Sequence, residues 1–134
     1  MIQEKNNLTV SKLAASIDRK TTFDENCILH QSLSLMADKW TLLILMSLMQ
    51  GTKRTNELQK QIKGISPKML SQTLRILQDY GMIDRKVYAE VPPKVEYTLT
   101  TFGESTAAPL AALFEWSLDW EPKLREIYGK EISG

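Results

Sequence analysis

Ser66-Pro67 opens a stretch whose apolar period changes from 3.6 to 2 at Gly81, and that change sets where a helix must hand over to strand. Ser66 suits an N-cap and Pro67 suits the first helical position, where proline's missing N–H costs nothing. From Pro67 to about Tyr80, Leu70, Leu74 and Leu77 fall on one stripe, with Lys68, Gln72, Arg75 and Asp79 on the other. Gly81 stops the helix. Beyond it Val95, Tyr97 and Leu99 alternate with Lys94, Glu96 and Thr98, and Arg85 to Ala89 is the matching strand across Glu90-Val91-Pro92-Pro93. Two prolines at the tip cannot donate ladder bonds, so the sequence predicts a two-stranded hairpin with an open, stiff end.

The same punctuation divides the rest of the chain. Thr55 is an N-cap candidate for a short helix that turns Leu58 and Ile62 inward and is closed by Gly64. Before it, a helix after Asp38 places Trp40, Leu43, Ile44 and Leu48 on one face and ends at Gly51, and Asn26 can cap a helix through Leu29, Leu33 and Met36. The first 26 residues are polar, with one amphipathic set at Val10, Leu13, Ala14 and Ile17. After Thr101 the chain returns to helix, bends near Pro109, and carries Leu113, Trp116, Ser117 and Trp120 on one side, with Pro122 opening a last helix. The expected organisation is an N-terminal arm over 1–26, a compact domain over 27–100 and terminal helices over 101–134.

Composition narrows the function classes. At 134 residues, with 43% apolar and 25% charged side chains, the chain has the make-up of an ordinary globular module. Its net charge of +1 argues for no polyanionic partner, but the distribution is uneven: Lys39 to Lys94 holds ten basic and four acidic residues, a net of +6. Extending the segment to Asp38 and Glu96 lowers that to +4, so a basic middle lies between acidic ends. A single Cys27 and a single His30 supply neither an intramolecular disulfide nor a zinc ligand set. The polar N-terminus lacks a signal-peptide core, and the most apolar run, Trp40 to Met49, is shorter than a membrane span, so a reducing cytoplasm without membrane attachment is expected.

Three helices followed by a hairpin, with the third helix wet on its outer side, make a mainly α winged helix-turn-helix. A helix fits the major groove of double-stranded DNA and can offer side chains to base edges from its N-terminal half. Ser66, Lys68, Met69, Ser71, Gln72 and Arg75 are the residues this helix presents, and Arg85, Lys86 and Lys94 sit on the hairpin within reach of phosphates. The free N–H groups near Ser66 add an anion site. Gln pairs bidentately with adenine, and Arg or Lys with guanine, whereas Ser mostly fixes register. A basic helix face is also what a solvated surface looks like, and winged helices serve as protein-docking modules too.

The runs Asp38-Lys39-Trp40-Thr41-Leu42-Leu43-Ile44-Leu45, Asn56-Glu57-Leu58 and Gly64-Ile65-Ser66-Pro67-Lys68-Met69-Leu70-Ser71 resemble the HxlR-type winged helix regulators, relatives of MarR. Gly81-Met82-Ile83-Asp84-Arg85, Pro92-Pro93-Lys94-Val95-Glu96-Tyr97-Thr98-Leu99-Thr100, Gly103 and Trp116 continue the likeness, which covers about Cys27 to Trp120. The resemblance implies a homodimeric, sequence-specific transcription factor with the Ser66 to Tyr80 helix as reader and the Arg85 to Leu99 hairpin as wing. Thr55 stands where members usually carry a phenylalanine-type residue. Members often place a cysteine before the first core helix and several sense oxidants or electrophiles with it; Cys27 holds that place, although Ile28 replaces the usual proline.

Self-association is also argued from composition, because Phe114, Trp116, Leu118 and Trp120 add more large apolar surface than one side of a helix in so small a domain needs. The competing reading is that both late tryptophans close the monomer's own core. For Cys27, a helix N-terminus and a protonated His30 favour the thiolate while Asp24 and Glu25 disfavour it, and a small buried hydrophobe without signalling is the alternative. No Gly-rich phosphate loop or nucleophile elbow is present, so neither an enzyme nor a cofactor is expected.

Overall fold

The computed structural model describes residues 2–133, with side-chain surroundings for residues 3–129, so the Met1 end of the expected arm and the Gly134 end of the terminal helices lie outside the described residues. Two compact units divide the chain, Met1–Ala37 and Asp38–Gly134.

The first unit holds α1 (Ile2–Ser16) and α2 (Ile28–Met36). Val10, Leu13 and Ala14 are helical, as their spacing predicts, yet all three are exposed. Asn26 does not cap α2. Asp24 organises a turn there, its carboxylate accepting from the Asn26 N–H at 2.9 Å and its carbonyl from the Cys27 N–H at 3.0 Å. That places Cys27 at the N-cap with extended backbone, φ −71° and ψ 132°, and its carbonyl accepts from the Gln31 N–H.

In the second unit α3 (Lys39–Leu48) is started by Asp38, whose carboxylate accepts from the Trp40 N–H at 2.9 Å. Its inward face is Thr41, Ile44, Leu45 and Leu48, rotated slightly from the expected set, because Leu43 is exposed and Trp40 half-buried. α4 (Thr55–Gln61) begins at the expected cap itself, so that Arg54, one residue earlier, is the N-cap, and its N–H is held by the Glu57 carboxylate at 3.0 Å. Gly64, at φ +91°, turns the chain toward α5 (Pro67–Asp79). Leu70, Leu74 and Leu77 of α5 meet Ile44, Leu45, Leu58, Met82 and Ile83 in the core, all at most 2% exposed. Burial of this kind contributes roughly 1.5–3 kcal/mol per large aliphatic side chain.

The hairpin is part of a three-stranded antiparallel sheet in the order β1-β3-β2, not an isolated pair. β1 (Lys53–Arg54) is too short to show an alternation in sequence, and it pairs Lys53 with Tyr97 and Arg54 with Glu96. β2 (Ile83–Tyr88) starts two residues earlier than predicted and pairs with β3 (Lys94–Leu99) from Ile83 opposite Leu99 to Tyr88 opposite Lys94. The helical return is α6 (Thr101–Glu104), α7 (Ala107–Asp119) and α8 (Glu121–Ser133). Its interruption falls at Ser105-Thr106 instead of at Pro109, because Pro109 lies in the first turn of α7, where no intrahelical N–H bond is lost.

Candidate nucleic-acid interface

α5 is fixed from its first turn. Ser66 Oγ accepts from the Met69 N–H at 3.0 Å and the Ser66 carbonyl accepts from Leu70 at 2.9 Å, while Pro67 has no N–H to satisfy. The expected anion site there is therefore narrower than the sequence suggests, since the capping serine already holds one first-turn donor. Lys68 carries the first-turn N–H outside this arrangement.

Beyond that turn the two stripes separate as amphipathicity requires. Thr73 tucks its hydroxyl onto the Met69 carbonyl at 2.8 Å and is buried with the leucines. Ser66, Lys68, Ser71, Gln72 and Arg75 are all exposed, and Met69 is half-buried at the edge of the stripe. No side-chain hydrogen bond or ion pair within the chain occupies Lys68, Gln72 or Arg75 among the described contacts. Five polar side chains on one exposed face, anchored by three leucines behind, can meet base edges without moving the helix.

The three wing cations do not share a face. Residues directly opposite in an antiparallel pair project to the same side. Arg85 is opposite the buried Tyr97, which is opposite Lys53, so Arg85 shares the face of Ile83 and Tyr97, although its own side chain, like that of Val87, is exposed. Lys86 is opposite Glu96 and Lys94 opposite Tyr88, on the outward side. Lys94 is paired with Glu96 at 2.9 Å, and its ammonium and that of Lys86 lie 4.7 and 4.8 Å from the Tyr88 ring. The Tyr88 hydroxyl donates to Glu96 at 3.0 Å. The Lys94 ammonium first, and the Tyr88 hydroxyl second, hold the Glu96 carboxyl below the ordinary carboxylate range, with Arg54 adding to the effect.

Arg54, Tyr88 and Glu96 are members of this face that the sequence analysis did not single out. The i, i+2 spacing of Lys94 and Glu96 placed them on one side of a strand, but Arg54 reaches that side only through the β1 pairing. Arg54, Thr55 and Asn56 from one side, and Pro92, Pro93 and Lys94 from the other, border an open groove of about 480 Å³ beside the wing tip, with Glu90 also on its rim.

An exposed, polar-faced third helix behind a capped N-terminus, followed by a small antiparallel sheet, defines a winged helix-turn-helix protein. Comparison with known proteins agrees: residues 35–125 match the model of the HxlR-like helix-turn-helix family. The chain belongs to that family, whose members are DNA-binding transcriptional regulators and not enzymes. It is 38% identical over 104 residues to the HTH-type transcriptional regulator YtfH of Escherichia coli K12, covering 78% of this chain and 82% of YtfH. Among solved structures it is similar to a protein described as a MarR-family transcriptional regulator from Porphyromonas gingivalis W83, at 40% identity and a TM-score of 0.71, over 75% of this chain and 97% of that one. It is also similar to the reduced form of the transcriptional regulator YodB from Bacillus subtilis, at 36% identity and a TM-score of 0.59, over 66% and 86% of the two chains. YodB has also been solved after diamide treatment.

Proposed function

We propose that the protein is a sequence-specific, double-stranded DNA-binding regulator that acts in the cytoplasm as a homodimer on a palindromic operator. The observation that carries this reading is the α5 face, where Lys68, Ser71, Gln72 and Arg75 stand exposed while Leu70, Leu74 and Leu77 are 0–2% exposed behind them. Gln72 and Arg75 read bases, Ser66, Lys68, Met69 and Ser71 set register, and Arg85, Lys86 and Lys94 approach the backbone from the wing. The arm over 1–26 and the terminal helices over 101–134 flank the reading domain over 27–100. No helix among the described residues is long and apolar enough to cross a membrane.

Self-association is supported by α7, which buries only Leu110 and leaves Phe114 58%, Trp116 51% and Leu118 57% exposed, with its C-cap Trp120 45% exposed. Within the second unit this apolar surface continues into a groove bordered by Leu43, Met46, Ile62, Leu110 and Phe114. Exposure on that scale marks an interface more often than a free surface. A dimer doubles the reading helix and explains a palindromic site.

Binding to duplex selected from a random pool tests the reading. Contacts to about six to ten phosphates make affinity fall by roughly three to five decades between 50 and 200 mM salt. A complex indifferent to salt, or no complex with any duplex, overturns the reading in favour of a protein-docking winged helix. The effector reading rests on Cys27, partly exposed at the N-cap of α2, and on the likeness to YodB. Two protomers' Cys27 thiols give one disulfide as diamide is reduced to its hydrazine, or one thiolate adds to a quinone-like electrophile. Operator affinity then changes on diamide or quinone treatment of the wild type and not of Cys27→Ser; equal responses remove Cys27 from the mechanism.

A further inference from the structure

Glu96 sits on the central strand of the sheet, directly opposite Arg54 of β1 on one side and Lys86 of β2 on the other. Side chains of directly opposed residues share a face and stand about 4.5–5.5 Å apart at Cβ. Across the three strands the outward charges therefore run plus, minus, plus. Lys94, two residues earlier on β3 and on the same face, adds the 2.9 Å ion pair, and the Tyr88 hydroxyl completes the carboxylate's contacts at 3.0 Å. The Lys94 and Glu96 side chains are 24% and 20% exposed, so the pair is half-buried on the sheet face. Without the carboxylate, Arg54, Lys86 and Lys94 are three uncompensated cations on one sheet face, and Arg54 and Lys94 also border the groove at the wing tip. Such a patch binds any duplex, because phosphate contacts carry affinity without sequence information.

We propose that Glu96 is a specificity-determining residue that weakens, without abolishing, the hold of Arg54, Lys86 and Lys94 on the DNA backbone, keeping sequence-independent binding weak so that α5 decides where the protein rests. The inference depends on the reading of α5 as a DNA-binding helix. It assigns Glu96 a role opposite to that of the cations around it: the carboxylate pairs with Lys94, offsets part of the charge that Arg54 and Lys86 add to the same face, and repels an approaching phosphate.

Glu96→Gln tests the idea, because glutamine keeps the shape and an acceptor for the Tyr88 hydroxyl while removing the charge. Binding to a non-operator duplex is followed by fluorescence anisotropy across a potassium chloride series, with circular dichroism confirming the fold. One to two released cations steepen the log–log salt slope by about 1 to 2 and tighten non-operator binding by about three- to tenfold at moderate salt. The ratio of operator to non-operator affinity falls accordingly. Adding Arg54→Gln to that variant returns the slope toward the wild-type value, whereas Arg54→Gln alone in the wild-type background changes it little. A folded Glu96→Gln protein with the wild-type slope overturns the proposal. So does a full unit of slope lost on Arg54→Gln alone, which decides the matter even if Glu96→Gln fails to fold. A wild-type protein that binds no duplex instead removes the regulator reading itself.

Discussion

Two single residues set the position of much larger parts. Ser66 caps α5 through the Met69 N–H and is also the first residue of the proposed reading face, so its hydroxyl links helix stability to helix placement. Ser66→Ala is expected to lower stability by about 1 kcal/mol, read by denaturant melting, as loss of an N-cap usually does. No change in midpoint would mean that the cap does not hold the helix. Gly103 is more demanding. A Cβ there would stand 2.1 Å from the Met82 carbonyl oxygen and 3.1 Å from the Leu99 side chain, so α6 lies against the sheet because residue 103 has no side chain. Thr100 fastens the same corner, its hydroxyl donating to the Gly81 carbonyl at 2.6 Å and accepting from the Gly103 N–H at 3.1 Å. Gly103→Ala is expected to cost about 3 kcal/mol, at the upper end of ordinary overpacking, because the obstacle is backbone. A loss under about 0.5 kcal/mol, the range of surface substitutions, would show that α6 can move aside at no cost.

At the scale of elements, the parts legible in the sequence were those whose signals are local. Ser66-Pro67, the leucine stripe and Gly81 mark α5 to within a residue, because cap, proline and periodicity all report on the same short segment. The start of α2 was misplaced because Asn26 is a good capping residue in general, and nothing local announces that Asp24 will bind its N–H first. β1 was not legible at all, since two residues show no period and its existence depends on pairing with β3 some forty residues later. The candidate site divides the same way. Lys68, Gln72 and Arg75 follow from helical spacing, but the separation of Arg85 from Lys86 and Lys94, and the arrival of Arg54 beside Glu96, follow from strand register. The order of helices and hairpin gave the winged architecture and the family resemblance agreed with it, but neither supplied these pairings.

For the whole molecule, the decisive property of α7 is how little of it the chain covers. The competing idea that Trp116 and Trp120 complete the monomer's core does not describe them, since they are 51% and 45% exposed. Sedimentation of the wild type is expected to give twice the 15.3 kDa chain mass, and Trp116→Glu with Trp120→Glu is expected to give the single-chain mass with the helical spectrum retained. A wild-type protein sedimenting as a monomer at micromolar concentration would remove the dimer. A dimeric regulator in turn brings two α5 helices to one site, where their outward faces meet the DNA. The most direct measurement is operator selection repeated with Gln72→Ala and Arg75→Ala. Each variant is expected to lose roughly 1–3 kcal/mol of operator binding and to relax base preference at one or two positions per half-site. Unchanged affinity and an unchanged selected sequence would contradict the assignment of α5 as the element that reads DNA.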